Sequence, residues 1–271
     1  MEPYFPDLRD YVEFREPFLG GGSVAIYIAK KYPHLKITVN DLYEPLVNFW
    51  RQLQENGIEL KDQLLDYKST HNDPVKAREL FTNSKDLLGE TGKSSLDRAV
   101  AFYIVNKCSF SGLTESSSFS KQASESNFSI SGIERLMEYS ELIEGWKITN
   151  DTYESLLTDQ KNVFVYLDPP YPPLNASSNF TSYDKDGFGD EEQAELAEFL
   201  HYFNRKNIKF LASNASHPLV FDLYKGLTII EIKAKRSINS NPEGRNPISE
   251  SVSYTHLRAH ETGRNVVCRL L

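Results

Sequence analysis

Val163-Phe164-Val165-Tyr166-Leu167-Asp168-Pro169-Pro170-Tyr171 is the stretch on which the fold turns. Its first five residues are almost wholly apolar and rich in β-branched and aromatic side chains, and two prolines cut them off. That is the length and composition of a strand buried on both faces, as in parallel sheets covered by helices. Working outward, helical spacing from Asp190 to about Phe203 is followed by strand-like runs at Ile208–Ser213 and Leu227–Ile232. Upstream, Phe14–Phe18 ends at Gly20-Gly21-Gly22-Ser23, and Val24, Ile26, Ile28 and Ala29 then give a helix that Pro33 stops. Ile37–Asn40 is the next strand, closed by Asp41, and Leu46, Val47, Phe49, Trp50 and Leu53 follow helical spacing until Gly57. Strands alternating with amphipathic helices predict a doubly wound α/β sheet.

The alternation stops between Leu60 and Gly145, which reads as helices with a polar middle, and a strand signal returns only at Trp146–Asn150. This predicts a mainly helical domain over 60–145, inserted into a domain built from 1–59 and 146–250. Inside it, Ser109–Ser131 is serine-rich, with Gly112, Thr114 and Asn127, yet carries Phe110, Phe119 and Phe128. It is too polar for a core element and too aromatic for a linker, which favours a functional loop or hairpin. From 251 to 271 no period is visible, and the stretch reads as an artefactual tail.

Composition narrows the function classes. The chain has 271 residues, 39% hydrophobic and 25% charged. No apolar run approaches the roughly 20 residues of a membrane span. Met1–Asp10 lacks the apolar core of a secretory signal, so a cytoplasmic protein is expected. Cys108 and Cys268 lie far apart and outside any CxxC pattern, which argues against a disulfide framework or zinc site. The six histidines form no HExxH and there is no GxSxG, so metal-hydrolase and serine-nucleophile chemistries are not supported and no metal is expected. A net charge of -8 is the wrong sign for coating nucleic acid unselectively, although Lys233, Lys235, Arg236 and Arg245 offer a local basic surface.

Three places carry candidate chemistry. Gly20 to Gly22 between a strand and a helix let a ligand approach the backbone and face the helix amino end. Asp41 ends the next strand 19 positions after Gly22 (41 − 22), where doubly wound nucleotide-binding folds put an acid on ribose hydroxyls; capping of the following helix is the alternative. Asp168 leaves the carboxyl end of the buried strand, where ligands of open α/β sheets bind. The two prolines after it fix φ and remove two donors, so the Asp168 carboxylate and the Pro169 carbonyl become rigid acceptors beside the ring of Tyr171. Such a pair suits an exocyclic amine, whose conjugated lone pair becomes reactive when its hydrogens are drawn away.

With the glycine turn first, an insertion next and Asp-Pro-Pro-Tyr last, the chain resembles the Dam-type adenine-N6 DNA methyltransferases. The residues that carry the resemblance are Arg15-Glu16-Pro17-Phe18-Leu19-Gly20-Gly21-Gly22-Ser23-Val24, Asn40-Asp41, Asn106-Lys107-Cys108-Ser109-Phe110-Ser111-Gly112-Leu113-Thr114, Lys147-Ile148-Thr149-Asn150-Asp151 and Tyr166-Leu167-Asp168-Pro169-Pro170-Tyr171. It implies a Rossmann-like methyltransferase sheet with an inserted target-recognition domain. It also implies S-adenosylmethionine held at Phe18, Gly20, Gly22, Asp41, Asn150, Asp151 and Asp168, with Asp168, Pro169 and Tyr171 at the target amine. Asn106, Lys107, Ser109, Ser111, Thr114 and Tyr183 would meet DNA, Tyr183 within a segment 179–183 closing over a flipped base.

The expected substrate is adenine in a specific double-stranded DNA sequence. The expected partners are DNA and a possible cognate restriction nuclease, with the protein itself a monomer. Two other readings stay open at this level: an RNA methyltransferase of the same fold, and a catalytically impaired DNA-binding fragment. The second, a fragment truncated at both ends, arises because the chain starts past the Trp-containing, Gly-Lys segment usual in the family, and because Asn246-Pro247-Ile248-Ser249-Glu250 leads up to where the family's final strand should lie before the expected tail takes over; reduced cofactor affinity is then expected.

Overall fold

The computed structural model describes residues 4–90, 94–110, 117–172, 188–234 and 248–254. In chain order the elements are β1 (Glu13–Glu16), α1 (Ser23–Lys31), β2 (Lys36–Asn40), α2 (Glu44–Glu55), α3 (Gly57–Thr70), α4 (Pro74–Leu88), α5 (Ser95–Cys108), α6 (Lys121–Ser126), α7 (Ile130–Glu134), α8 (Leu136–Leu142) and β3 (Lys147–Thr149). After a short 3-10 turn at Tyr153–Leu156 come β4 (Val163–Leu167), α9 (Asp190–Lys206), β5 (Lys209–Ala215), α10 (Pro218–Leu223), β6 (Thr228–Ala234) and β7 (Ile248–Tyr254). The chain forms two compact units, Met1–Val39 with Thr152–Leu271, and Asn40–Asp151.

The first unit is the α/β sheet. Its strands run β2-β1-β4-β5-β7-β6, with β1 parallel to β2 and β4, and β4 parallel to β5. β7 enters antiparallel between β5 and β6. All five residues of β4 are buried. Because side chains alternate along a strand, β4 feeds two layers. Val163, Val165 and Leu167 join Leu196, Ala197, Leu200 and Phe203 of α9 and Phe210 and Ala212 of β5. Phe164 and Tyr166 instead meet the rings of Phe5, Tyr11 and Phe14. Chain order reverses around β1, which has β2 on one side and β4 on the other, so the carboxyl ends of β1 and β4 bound a topological switch point.

The second unit is helical and centres on α5, buried from Ala99 to Val105. A helix apolar nearly all round belongs inside a bundle. Phe49 of α2 packs its ring on Phe102 and Tyr103 of α5, and Tyr103 meets Phe128. That packing draws α2 into this unit, so it begins at Asn40 and ends at Asp151 instead of at 60 and 145. The expected polar loop at Ser109–Ser131 is partly hairpin: Ser109 bridges Phe119 antiparallel, and Phe110 N–H donates to the Ser118 carbonyl. The rest is partly helix, because Ser120 and Ser129 accept hydrogen bonds from Ala123 and Gly132 N–H and so cap α6 and α7.

Two further boundaries differ from expectation. β1 ends at Glu16, since Pro17 has no N–H to continue the ladder. The stretch expected to be a foreign tail from 251 onward contributes 251–254 to β7, which is paired on both sides; 255–271 lie outside the described residues.

Candidate active site

The glycine turn is built as the sequence implies. Gly20 and Gly22 take φ +48° and +67°, left-handed values that suit residues without Cβ. Gly22 N–H closes the turn on the Leu19 carbonyl at 2.8 Å, and Gly22 is the residue from which α1 starts. A Cβ built on Gly20 or Gly21 would meet no atom within 4 Å, so this backbone faces open space. No acidic residue stands in the first turn of α1. Phe18, just before the turn, stacks on Tyr153 at 5.3 Å and meets Phe188 edge-on, which fixes the entry to the turn with an aromatic cluster.

Asp168 follows the last residue of β4, which lies beside β1 in the sheet. Its side chain is exposed by area, yet protein crowds its carboxyl closely enough to raise its pKa above the usual aspartate value through desolvation. Hydrogen bonds from Tyr171, Ser213 and Tyr166 act in the opposite direction and lose to it. Tyr171 Oη donates to Asp168 Oδ1 at 3.0 Å and lies 2.8 Å from Ser213 Oγ on β5. The residue remains 39% exposed, so the tyrosine steadies the carboxylate while part of it stays open to a partner. Pro169 is buried, and the Pro170 carbonyl accepts from Gln193 Nε2 at 2.7 Å.

In the second unit, the hub is Asn40. It is 1% exposed, its Oδ1 accepts from Thr149 Oγ1 and Asp151 N–H, and its Nδ2 donates to the Asp151 carbonyl. Asn150 Nδ2 donates to the Asp41 and Leu42 carbonyls. Asp41, Asn150 and Asp151 are thereby gathered where β2 and β3 end. Asp41 Oδ1 accepts from Tyr43 N–H at 3.0 Å, a local turn ahead of α2, whose N-cap is Tyr43 and receives no side-chain bond, so Asp41 does not cap the helix.

The expected DNA-contacting residues fare unequally. Asn106 and Lys107 are half-buried near the end of α5; Lys107 Nζ lies 5.6 Å over the Tyr103 ring, and burial lowers its pKa. Ser109 is 1% exposed with its hydroxyl on the Asn106 carbonyl, so its side chain ends α5 and presents no face to a base edge. Ser111, Thr114 and Tyr183 lie outside the described residues, as do Lys235, Arg236 and Arg245. Residues that the sequence analysis did not single out complete the site: Ser213, Gln193 and Tyr224. Asn40 and Asn214 sit at strand ends, a signal open to sequence reading; Gln193 inside a helix gives none.

Comparison with known proteins adds the following. The family model described as D12 class N6 adenine-specific DNA methyltransferase matches residues 1–238. The type II methyltransferase M1.LlaDCHI of Lactococcus lactis subsp. cremoris is 30% identical over 250 residues, covering 89% of this chain and 86% of that protein. The type II methyltransferase M.MjaIII of Methanocaldococcus jannaschii is 30% identical over 251 residues, covering 88% and 85%. A DNA adenine methylase of Vibrio cholerae is 26% identical over 259 residues, covering 92% and 88%.

Proposed function

Because the chain belongs to the D12 class of N6 adenine-specific DNA methyltransferases, we propose that Asp168 and the Pro169 carbonyl are the acceptors that align the adenine amine, with Tyr171 stacking on the base. The enzyme methylates adenine N6 in DNA, and S-adenosylmethionine is its methyl donor. The sulfonium of that donor supplies the methyl group already activated for transfer.

The residues present suit this donor. Open backbone at Gly20 and Gly21 and the amino end of α1 fit an amino-acid carboxylate. Asp41 fits ribose hydroxyls, and the Asn150–Asp151 turn fits an adenine edge. The observation that carries the catalytic assignment is Asp168 at the end of a fully buried strand, beside the switch point, with its carboxyl held by Tyr171. Adenine in a duplex is paired and stacked, so it must leave the helix first, at a cost of a few kcal/mol. Asp168 then accepts one N6 hydrogen bond and receives the proton that leaves on methylation, while the Pro169 carbonyl accepts the other.

The helical second unit is the proposed target-recognition domain, and a specific duplex sequence the proposed substrate. The type II names of two relatives favour pairing with a restriction nuclease, and action on DNA favours a cytoplasmic protein, for which a monomer is the proposed state. Among the described residues no helix is long and apolar enough to cross a membrane. The test is Asp168→Asn with tritiated S-adenosylmethionine and unmethylated genomic DNA. Methylation should fall by about 10²–10³, the usual loss for a preorganised polar group, with donor affinity kept. A fully active variant, or label in cytosine, refutes the assignment.

A further inference from the structure

Pro169 and Pro170 make the catalytic loop stiff but leave it two backbone donors short, so its carbonyls and side chains take a larger share of the anchoring. The Pro170 carbonyl accepts from Gln193 Nε2 at 2.7 Å. Gln193 lies in the first turn of α9, is 1% exposed, and receives Asn214 Nδ2 on its Oε1 at 3.0 Å. Asn214, fully buried near the end of β5, also donates to Tyr224 Oη at 3.1 Å and accepts from Ala215 N–H at 2.8 Å.

The orientation of this relay is forced. A carbonyl can only accept, so the Gln193 amide must turn its NH2 to Pro170 and its oxygen to Asn214. Asn214 must then offer its own NH2 to Gln193 and its oxygen to the backbone N–H of Ala215. Each group has one role, and both amide side chains lie out of reach of water. A buried polar chain of this kind defines a single arrangement when fully satisfied and is costly when broken. One residue earlier on β5, Ser213 Oγ sits 2.8 Å from Tyr171 Oη. Neighbouring residues of a strand point to opposite faces, so β5 supports the adjacent Pro170 and Tyr171 from its two faces, Pro170 by way of Gln193 and Tyr171 directly.

We propose that Gln193 is a positioning residue for methyl transfer: through the Pro170 carbonyl, and backed by Asn214 and Tyr224, it fixes the loop that carries the Asp168 carboxylate and the Pro169 carbonyl. The proposal rests on the catalytic assignment of Asp168 made above. It predicts that breaking the relay costs turnover while leaving donor binding alone, because small displacements of aligned groups are expensive for the reaction.

The test uses the full chain with Gln193→Leu, Gln193→Glu and Tyr224→Phe. Single-turnover methylation of unmethylated genomic DNA is measured across pH, alongside S-adenosylmethionine affinity by calorimetry and thermal unfolding. Gln193→Leu should lose at least about tenfold in rate with donor affinity within about twofold, as expected for misaligned reacting groups. Gln193→Glu repels the Pro170 carbonyl when ionised but donates to it when protonated, so its rate relative to wild type should recover as pH falls. Gln193→Leu should show no such recovery. The Tyr224 hydroxyl is pushed up to about 12 by burial and stays protonated throughout, so it adds no slope of its own. Tyr224→Phe removes only the outer member and should cost a smaller factor, keeping the proposal testable if the Gln193 variants do not fold.

A pH-independent ratio for Gln193→Glu, or wild-type rates in all three variants, overturns the positioning role. So does a loss that follows donor affinity. Asp168→Asn, run in parallel, separates the two claims. If it is inactive while the Gln193 variants are silent, only the relay fails; if it is active, the site assignment fails and the relay with it.

Discussion

Asp168 is held above its ordinary pKa by crowding, and the Tyr171 hydroxyl counteracts part of that rise. The proposed acceptor must be ionised, so activity should fall as pH drops through the raised value. Tyr171→Phe removes the donor that favours the carboxylate and should move the acid limb of the rate profile to higher pH, while keeping the stacking ring. Tyr171→Ala should lose in addition the roughly 1–3 kcal/mol of base stacking. An unmoved acid limb in Tyr171→Phe would show that the hydroxyl does not tune Asp168. The stability consequence has the opposite sign. An acid whose native pKa is raised destabilises the fold as pH climbs from the ordinary value of 3.8 through the native one. Asp168→Asn should therefore melt higher than wild type above that window and equal to it below, a difference that calorimetry across pH reads directly. For Asp41, which holds Tyr43 N–H with one oxygen, Asp41→Asn keeps that turn and removes only the charge. Donor affinity should weaken by about 1–3 kcal/mol if the other oxygen meets ribose, and unchanged calorimetric affinity would contradict this.

Elements differed in how openly the sequence declared them. β4 was legible because a buried parallel strand needs five apolar residues in a row and the prolines after it mark its end. β7, Ile-Ser-Glu-Ser-Val-Ser-Tyr, was not, since its signal comes from pairing with β5 and β6 and not from its own composition. The site divides in the same way. Asp168 stands in a contiguous motif, whereas Gln193 and Asn214 are 21 residues apart and meet only through the packing of α9 on β5. In the second unit, serines that looked like loop proved to be helix caps, because a cap and a loop use the same residues. Deleting all of Ser109–Ser131 would therefore remove α6 and the buried Phe128 along with any recognition surface. Replacing only 111–116, between the paired backbones of Phe110 and Ser118, is the sharper test. It should abolish sequence preference, read by mapping N6-methyladenine over genomic DNA, with donor binding intact; retained preference would exclude those residues from recognition.

At the scale of the whole molecule, binding of the donor is linked to folding. A ligand that binds only the folded chain stabilises it by mass action, about 2.7 kcal/mol at a hundred times its dissociation constant. Saturating S-adenosylmethionine should accordingly raise the melting temperature of wild type and much less that of Asp41→Asn, as thermal-shift measurements can check. The position of β7 bears on how such a chain is made. A ribosome releases residues in order, so β5 and β6 emerge before the strand that separates them in the finished sheet. Until residue 254 is clear of the exit tunnel, β5 presents an open ladder on that side, the kind of edge that recruits foreign strands. Completing the enzyme is thus a late insertion, and a nascent chain stalled before 248 would be the species most in need of a chaperone.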